Sequence, residues 1–305
     1  MIYTVTLNPC VDYFIIVDKQ LIDTEVNRAS YEHFKGAGKG LNVSNILNEL
    51  GVKSRAVALL GGFTGDYIEE CFKNKEKIEM IPVRVNGNNR INVKISNLDK
   101  TWCINGNGPS ADDNTIPKVL DVLKDIDDRD IIMICGSKMK NLTKMDIYDI
   151  VTYAKNKGAR VIVDIEELKL DDYRILKPYL IKPNLYELSM LAGKDLTIED
   201  SLIYLENLLD IGIENILLSL GKDGAILYNR DVKLKLSHPL VNSINKVGSG
   251  DAMLASFVGK LSETNDYIEA LRWGGSAGLT TVTTFDDITL DQVEKNLDLM
   301  SIDKI

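Results

Sequence analysis

Apolar and polar positions recur along the chain at two periods, and their order predicts the architecture. Ile2–Leu7 mixes β-branched and small residues and predicts a first buried strand, ended by Asn8-Pro9-Cys10-Val11-Asp12, which places Asp12 just beyond a strand end. Tyr13–Asp18 and Glu25–Phe34 predict two more strands ahead of a helix at Leu41–Leu50. Ser54–Leu60 reads as a strand and Asp66–Phe72 as a helix. Met80–Val85 and Ile91–Ser96 alternate like strands, and Asn86-Gly87-Asn88-Asn89 between them predicts a hairpin turn. With Thr101–Ile104 these segments predict a small antiparallel β excursion.

Further on, strands and helices alternate regularly. Strands are predicted at Ile131–Cys135, Arg160–Asp164, Leu180–Lys182 and Asn215–Leu220, and helices at Thr143–Lys157 and Thr197–Leu209. Ala225–Tyr228 and Val232–Ser237 predict a hairpin. The segment from Asp251 through Val258 is apolar on nearly every face and predicts a helix buried at the centre of the molecule. Helices at Tyr267–Thr281 and Asp291–Leu299 follow, the latter closing the chain. Alternating βα units imply an α/β fold, a mostly parallel sheet with helices on both faces. No internal repeat or linker stands out, so the 305 residues read as a single domain.

Composition narrows the function classes. With 45% hydrophobic and 27% charged residues the usage is ordinary for a globular protein. A formal net charge of −9 argues against nucleic acid or an acidic membrane surface as partner. Cys10, Cys71, Cys103 and Cys135 form no Cys-x-x-Cys pair and read as reduced thiols of a cytoplasmic protein. Only His33 and His238 are available, which disfavours a His-rich metal site or a Ser-His-Asp triad. Met1 leads directly into a strand-like pattern, so no signal peptide is expected, and no apolar run approaches the ~20 residues of a membrane span.

The candidate chemistry lies at two glycine-rich entries into helices. Val247-Gly248-Ser249-Gly250-Asp251 opens the central apolar helix. Small residues there expose successive N–H groups, and the helix N-terminus adds partial positive charge, so an anion such as phosphate fits. Asp251 would then be a carboxylate at the mouth of an anion hole, a pairing that suits phosphoryl transfer. The same residues also suit a plain turn with Asp as the capping residue. Gly36-Ala37-Gly38-Lys39-Gly40-Leu41-Asn42 is a second such entry; it lacks Walker A and Rossmann spacing but fits anion binding with Lys39 as a point charge.

Along essentially its whole length the chain resembles the ribokinase, or PfkB carbohydrate kinase, family. The carrying segments are TVTLNPCVD at Thr4–Asp12, GAGKGLNVS at Gly36–Ser44, GGFTGDYI at Gly61–Ile68, RINVKI at Arg90–Ile95, NGNGP at Asn105–Pro109, KPNLYEL at Lys182–Leu188, LSLGKDGA at Leu218–Ala225 and VGSGDAM at Val247–Met253. Within the family it is most similar to the branch of 1-phosphofructokinases and tagatose-6-phosphate kinases. The resemblance implies a three-layer α/β/α core with a small β-sheet lid, formed by about residues 11–35 and 82–105, and a homodimer through that lid. It implies ATP and Mg²⁺ as cofactors and a sugar phosphate as substrate. Asp251 becomes the catalytic base and Gly248, Ser249 and Gly250 its anion hole. Asp12, Gly38, Asn42 and Ser137 would contact the sugar, and Lys39 and Arg90 the phosphate already on it. Lys182, Asn184, Glu187, Ser219, Gly221 and Gly224 would serve the nucleotide, with Glu187 on Mg²⁺ through water.

The reaction so implied is phosphorylation of fructose 1-phosphate to fructose 1,6-bisphosphate, with tagatose 6-phosphate as the alternative substrate and a non-catalytic sugar-phosphate sensor as the reading from another class. The chain departs from the branch pattern at Gly136-Ser137-Lys138-Met139, where Gly-Ser-Leu-Pro is usual and Lys138 is added near the substrate phosphate. It departs again at Gly278, where many relatives carry Asn near adenine.

Overall fold

A computed structural model describes residues 1–97, 100–244, 248–284 and 287–305. Its strands are β1 (Ile2–Thr6), β2 (Cys10–Ile16), β3 (Tyr31–Ala37), β4 (Ser54–Leu60), β5 (Ile78–Arg84), β6 (Arg90–Ser96), β7 (Thr101–Asn105), β8 (Ile131–Cys135), β9 (Arg160–Asp164), β10 (Leu180–Ile181), β11 (Asn215–Ser219), β12 (Ala225–Asn229), β13 (Lys233–Ser237) and β14 (Ser301–Lys304). Among the described residues they form a 10-stranded sheet, in the order β14-β13-β12-β11-β10-β9-β8-β1-β4-β5, and a 4-stranded sheet, β3-β2-β6-β7. From β11 to β5 every neighbouring pair of the large sheet is parallel, while β12, β13 and β14 add on antiparallel.

The central strands are apolar on both faces because helices cover both. Ile132, Ile134, Val161, Val163 and Leu218 join one core with Ile147, Ile150 and Val151 of the helix Lys144–Asn156 and Leu205 and Leu208 of the helix Ile198–Asp210. Ile131, Met133, Cys135, Ile162 and Leu217 face the opposite way and pack on Leu254, Phe257 and Val258 of the helix Ser249–Thr264. Period-2 alternation thus divides each strand between two cores, giving the expected three layers. The helix Ser249–Thr264 is buried from Asp251 through Gly259, so the sequence reading of a central helix holds.

Several expectations change. Met80–Val85 is no hairpin partner of Ile91–Ser96: β5 pairs parallel with β4 and forms the edge of the large sheet. Pro82 fits there, because an edge strand needs no ladder donor at that position. The connection crosses between sheets because Asn89 is buried and pinned to the end of β4, accepting from Gly61 N–H at 2.8 Å and donating to the Leu59 carbonyl at 2.8 Å. Hence residues 82–84 of the expected small sheet stand in the large one.

Asp12 is not in a turn beyond β1. It sits inside β2, opposite Lys35 of β3 and Asn92 of β6. In the Glu25–Phe34 stretch strand structure begins only at Tyr31; the Asn27 side chain ties the preceding turn to both backbone groups of Ile22. The short helices Thr115–Val122 and Leu170–Leu176 and the terminal strand β14 were not among the predicted elements. The last helix spans Leu290–Asn296, and β14 beyond it closes the chain.

Candidate active site

Parallel strands present their carboxyl ends on one side, and Asp164, Lys182 and Ser219 stand at or just beyond the ends of β9, β10 and β11. Gly38 follows β3 and caps the helix Lys39–Glu49. Its φ is 142°, and a Cβ would stand 2.7 Å from Thr6 Cγ2 at the end of β1, so only glycine lets this helix start against β1. Lys39 and Asn42 occupy that helix's first turn; Lys39 reaches the end of β9, and Asn42 reaches the central helix.

Asp251 does not cap the central helix. Gly248 is the capping residue, in the left-handed region with φ 84°, and Asp251 lies in the first helical turn. Val247, the first residue of the motif, lies outside the described residues. Asp251 is 8% exposed, and Asn42 Nδ2 donates to its Oδ2 at 3.3 Å. Burial and the carboxylate of Asp164 push its pKa up to about 6, while Lys39, Lys182 and the Asn42 hydrogen bond hold it down. A carboxylate poised there is a base near neutral pH.

Lys39 Nζ pairs with Asp164 Oδ1 at 3.0 Å. Burial works against the Lys39 charge, but the Asp164 and Asp251 carboxylates outweigh it and raise its pKa. Asp164, the last residue of β9, was not singled out in the sequence; its position at the polar end of an apolar strand is the signal it offered. Its Oδ2 is buried without a hydrogen-bond partner. Lys182 follows β10 and is buried, and a Cβ on Gly250 would stand 3.0 Å from its Nζ. The ammonium therefore lies beside the turn read as an anion hole.

The residues expected on the sugar side, and their neighbours, come from the turn after β1, from β2 and β6, and from the turn after β8. Asp12 accepts from Lys94 Nζ at 2.6 Å and from Asn92 Nδ2 at 2.9 Å. Burial and Asp12 together push the neighbouring Cys10 thiol up to about 12, so it stays protonated. Asn8, buried, donates through Nδ2 to Ser137 Oγ at 3.1 Å and to the Lys138 carbonyl at 3.2 Å. Asn8 Oδ1 and Arg90 Nε are both buried with no hydrogen-bond partner. Orphaned buried polar atoms are costly, and a ligand supplies what they lack. Asn8, Asn92 and Lys94 stood in the quoted motifs but had no role assigned there.

Of the residues expected to serve the nucleotide, Asn184, Glu187 and Ser219 are connected to one another. Asn184 caps the helix Leu185–Ala192 through a reciprocal box: its N–H donates to Glu187 Oε2 at 2.8 Å, and the Glu187 N–H donates to Asn184 Oδ1 at 2.8 Å. Asn184 also bridges to Ser219, whose N–H donates to the Pro183 carbonyl. Gly221 and Gly224 bound a short 3₁₀ turn closed by the Leu220 N–H on the Gly224 carbonyl. Glu187 thus has one carboxylate oxygen engaged in the cap and the other without a hydrogen bond, a hard oxygen donor of the type Mg²⁺ accepts.

The model of the pfkB family of carbohydrate kinases matches residues 5–293. The chain is 36% identical over 282 residues to a 1-phosphofructokinase of Bacillus subtilis, covering 92% of each. It is 36% identical over 283 residues to a D-tagatose-1-phosphate kinase of Bacillus licheniformis, again covering 92% of each. The fold is similar to that of the phosphofructokinase-2 of Escherichia coli, with a TM-score of 0.89 at 24% identity, covering 97% of this chain and 98% of that one.

Proposed function

Because the chain belongs to the pfkB family of carbohydrate kinases, we propose that it transfers the γ-phosphoryl group of ATP to the free primary hydroxyl of a ketohexose monophosphate. The substrate is fructose 1-phosphate and the product fructose 1,6-bisphosphate. The observation that carries this reading is Asp251, a buried carboxylate in the first turn of a helix, with its pKa lifted to about 6 and two lysines, Lys39 and Lys182, near enough to act on it.

Asp251 accepts the proton of the attacking hydroxyl. The amides at the start of the helix Ser249–Thr264, its dipole and Lys182 stabilise the charge on the migrating phosphoryl group. Asn42 keeps the Asp251 carboxylate oriented, and Lys39 balances its charge. Asp12, itself held by Lys94 and Asn92, and Asn8 Oδ1 accept hydrogen bonds from sugar hydroxyls. Arg90, whose Nε lacks a partner, takes the phosphate the sugar already carries. Mg²⁺ brought with the nucleotide would neutralise phosphate charge, and Glu187 is the residue here that fits it.

The 4-stranded sheet is read as the lid over the sugar. It exposes Ile16, Tyr31 and Ile104, which supports a homodimer through that sheet. Light scattering on the wild type and Ile104→Glu tests the dimer; a monomeric wild type rejects it.

Equal identity to a 1-phosphofructokinase and a D-tagatose-1-phosphate kinase supports a tagatose phosphate as the second reading. The test is coupled ADP release with Mg-ATP against fructose 1-phosphate, tagatose 1-phosphate, tagatose 6-phosphate and fructose 6-phosphate. The highest kcat/KM is expected for fructose 1-phosphate. Turnover of none of them would sink the kinase reading and leave a sugar-phosphate sensor.

A further inference from the structure

Three lysines stand on the substrate side of the site, and each already has a carboxylate. Lys94 pairs with Asp12, Lys39 with Asp164, and Lys138 with Glu167 at 3.1 Å. The pairs differ in how far water reaches them: the Asp12 and Asp164 side chains are 13% and 7% exposed, that of Glu167 47%. A pair open to water holds its partners weakly, whereas a lysine leaving a buried carboxylate strands that charge. Lys138 is therefore the lysine of the three that an arriving anion can draw away.

Its backbone is fixed where such an anion would arrive. The Lys138 carbonyl and Ser137 Oγ both accept from Asn8 Nδ2. On its other side, Asn8 Oδ1 would stand 3.4 Å from a Cβ on Gly108, and Arg90 Cβ would stand 3.3 Å from the same point. One buried amide is thus flanked by the turn that carries Lys138 and by the root of Arg90. Between them an acceptor, Asn8 Oδ1, and a donor, Arg90 Nε, have no partner.

Resting on the sugar-phosphate kinase reading above, we propose that Lys138 is a second anchor for the phosphate the substrate already carries, exchanging Glu167 for that phosphate on binding. Glu167 acts as the competing anion. It keeps Lys138 neutralised in the empty site and lowers affinity for every anion that reaches Lys138, the bisphosphate product included. Such a pair sets specificity toward phosphorylated sugars while easing product release.

The test is a binding cycle that does not depend on turnover. Fructose 1-phosphate and tagatose 6-phosphate are titrated calorimetrically into the wild type, Lys138→Met, Glu167→Gln and the double variant, with KM values measured alongside. Lys138→Met should weaken sugar-phosphate binding ~10-fold, equivalent to ~1.4 kcal/mol, and leave KM for MgATP within about twofold. Glu167→Gln should tighten sugar-phosphate binding by roughly threefold, and only where Lys138 is present. Weaker binding in Glu167→Gln, or the same effect with and without Lys138, overturns the exchange. Wild-type turnover combined with an unchanged Lys138→Met overturns the anchor alone. Wild-type binding without turnover removes the kinase reading, and the cycle still decides Lys138. No binding of either sugar phosphate to the wild type overturns both.

Discussion

Lys39 Nζ stands 3.0 Å from Asp164 Oδ1, and the same ammonium also interacts with the carboxylate of Asp251. One half-buried cation therefore serves two buried acids that would otherwise repel each other. Burial raises the affinity of Asp251 for a proton, Asp164 adds to that, and Lys39 lowers it, so the basicity of Asp251 depends on residues of neighbouring elements as well as on its own burial.

That balance fixes a pH profile. Asp251 must be ionised to act, and its pKa is raised from 3.8 to about 6. kcat/KM should fall as pH drops through about 6 and level off above it. Asp251→Asn should lower kcat by ~10²–10⁴-fold, the usual worth of a positioned base. Rate–pH profiles of the two proteins check this; a variant that keeps most of its turnover rules out Asp251 as the base.

The same shift has the opposite sign for stability. The folded state binds the Asp251 proton more tightly than the unfolded chain does, so this group's contribution is fully present below pH ~4 and lost as pH rises through about 6. The ionised, buried carboxylate costs on the order of 3 kcal/mol at pH 8. Asp251→Asn should therefore melt a few degrees higher than the wild type at pH 8 and lose that advantage at pH 4. Calorimetry at the two pH values tests it.

Removing the acid beyond Lys39 should act on the profile rather than only on the rate. In Asp164→Asn, Lys39 has Asp251 as its remaining acidic partner, so the base weakens. The acid limb of kcat/KM should move to lower pH, with a lower plateau. An unmoved limb would mean that Asp164 has no hold on Asp251.

Glu187 carries two assignments that one substitution separates. Gln at this position preserves the reciprocal cap with Asn184 and removes the charge. Glu187→Gln should keep the melting temperature while raising the Mg²⁺ concentration needed for half-maximal rate. Glu187→Ala should lose both, with ~0.5–2 kcal/mol of stability gone with the cap. Equal Mg²⁺ requirements in wild type and Gln variant would leave Glu187 with the cap alone.

Gly38 tests the backbone beneath the site. An alanine methyl would stand 2.7 Å from Thr6 Cγ2 at a φ of 142°. Gly38→Ala should destabilise by ~1–3 kcal/mol from backbone strain, with the clash added, and should cut activity by displacing Lys39 and Asn42. Urea unfolding measures the first effect and kinetics the second.

The sequence by itself determined the core and singled out the two glycine-rich helix entries. Ile131–Cys135 and Val161–Val163 are apolar without a break because both faces are covered, and such runs announce a central parallel strand. Gly248–Asp251 was legible because small residues opening an apolar helix expose successive N–H groups at its N-terminus, although a plain turn fits the same residues. Local patterns of this kind survive in one dimension.

Tertiary structure alone decided who pairs with whom. The alternation of Ile78–Arg84 says strand but not sheet, and its place beside β4 is fixed by Asn89 gripping the Leu59 and Gly61 backbone. Asp12 reads as a turn residue until β3 and β6 close on either side of it. Asp164 is one acid among many until it meets Lys39, 125 positions earlier in the chain, which was itself expected to hold a phosphate. The physical reason is common to all three. Hydrophobic period and turn propensity act between neighbours, whereas strand pairing and charge balance depend on distances that exist only once the chain has folded.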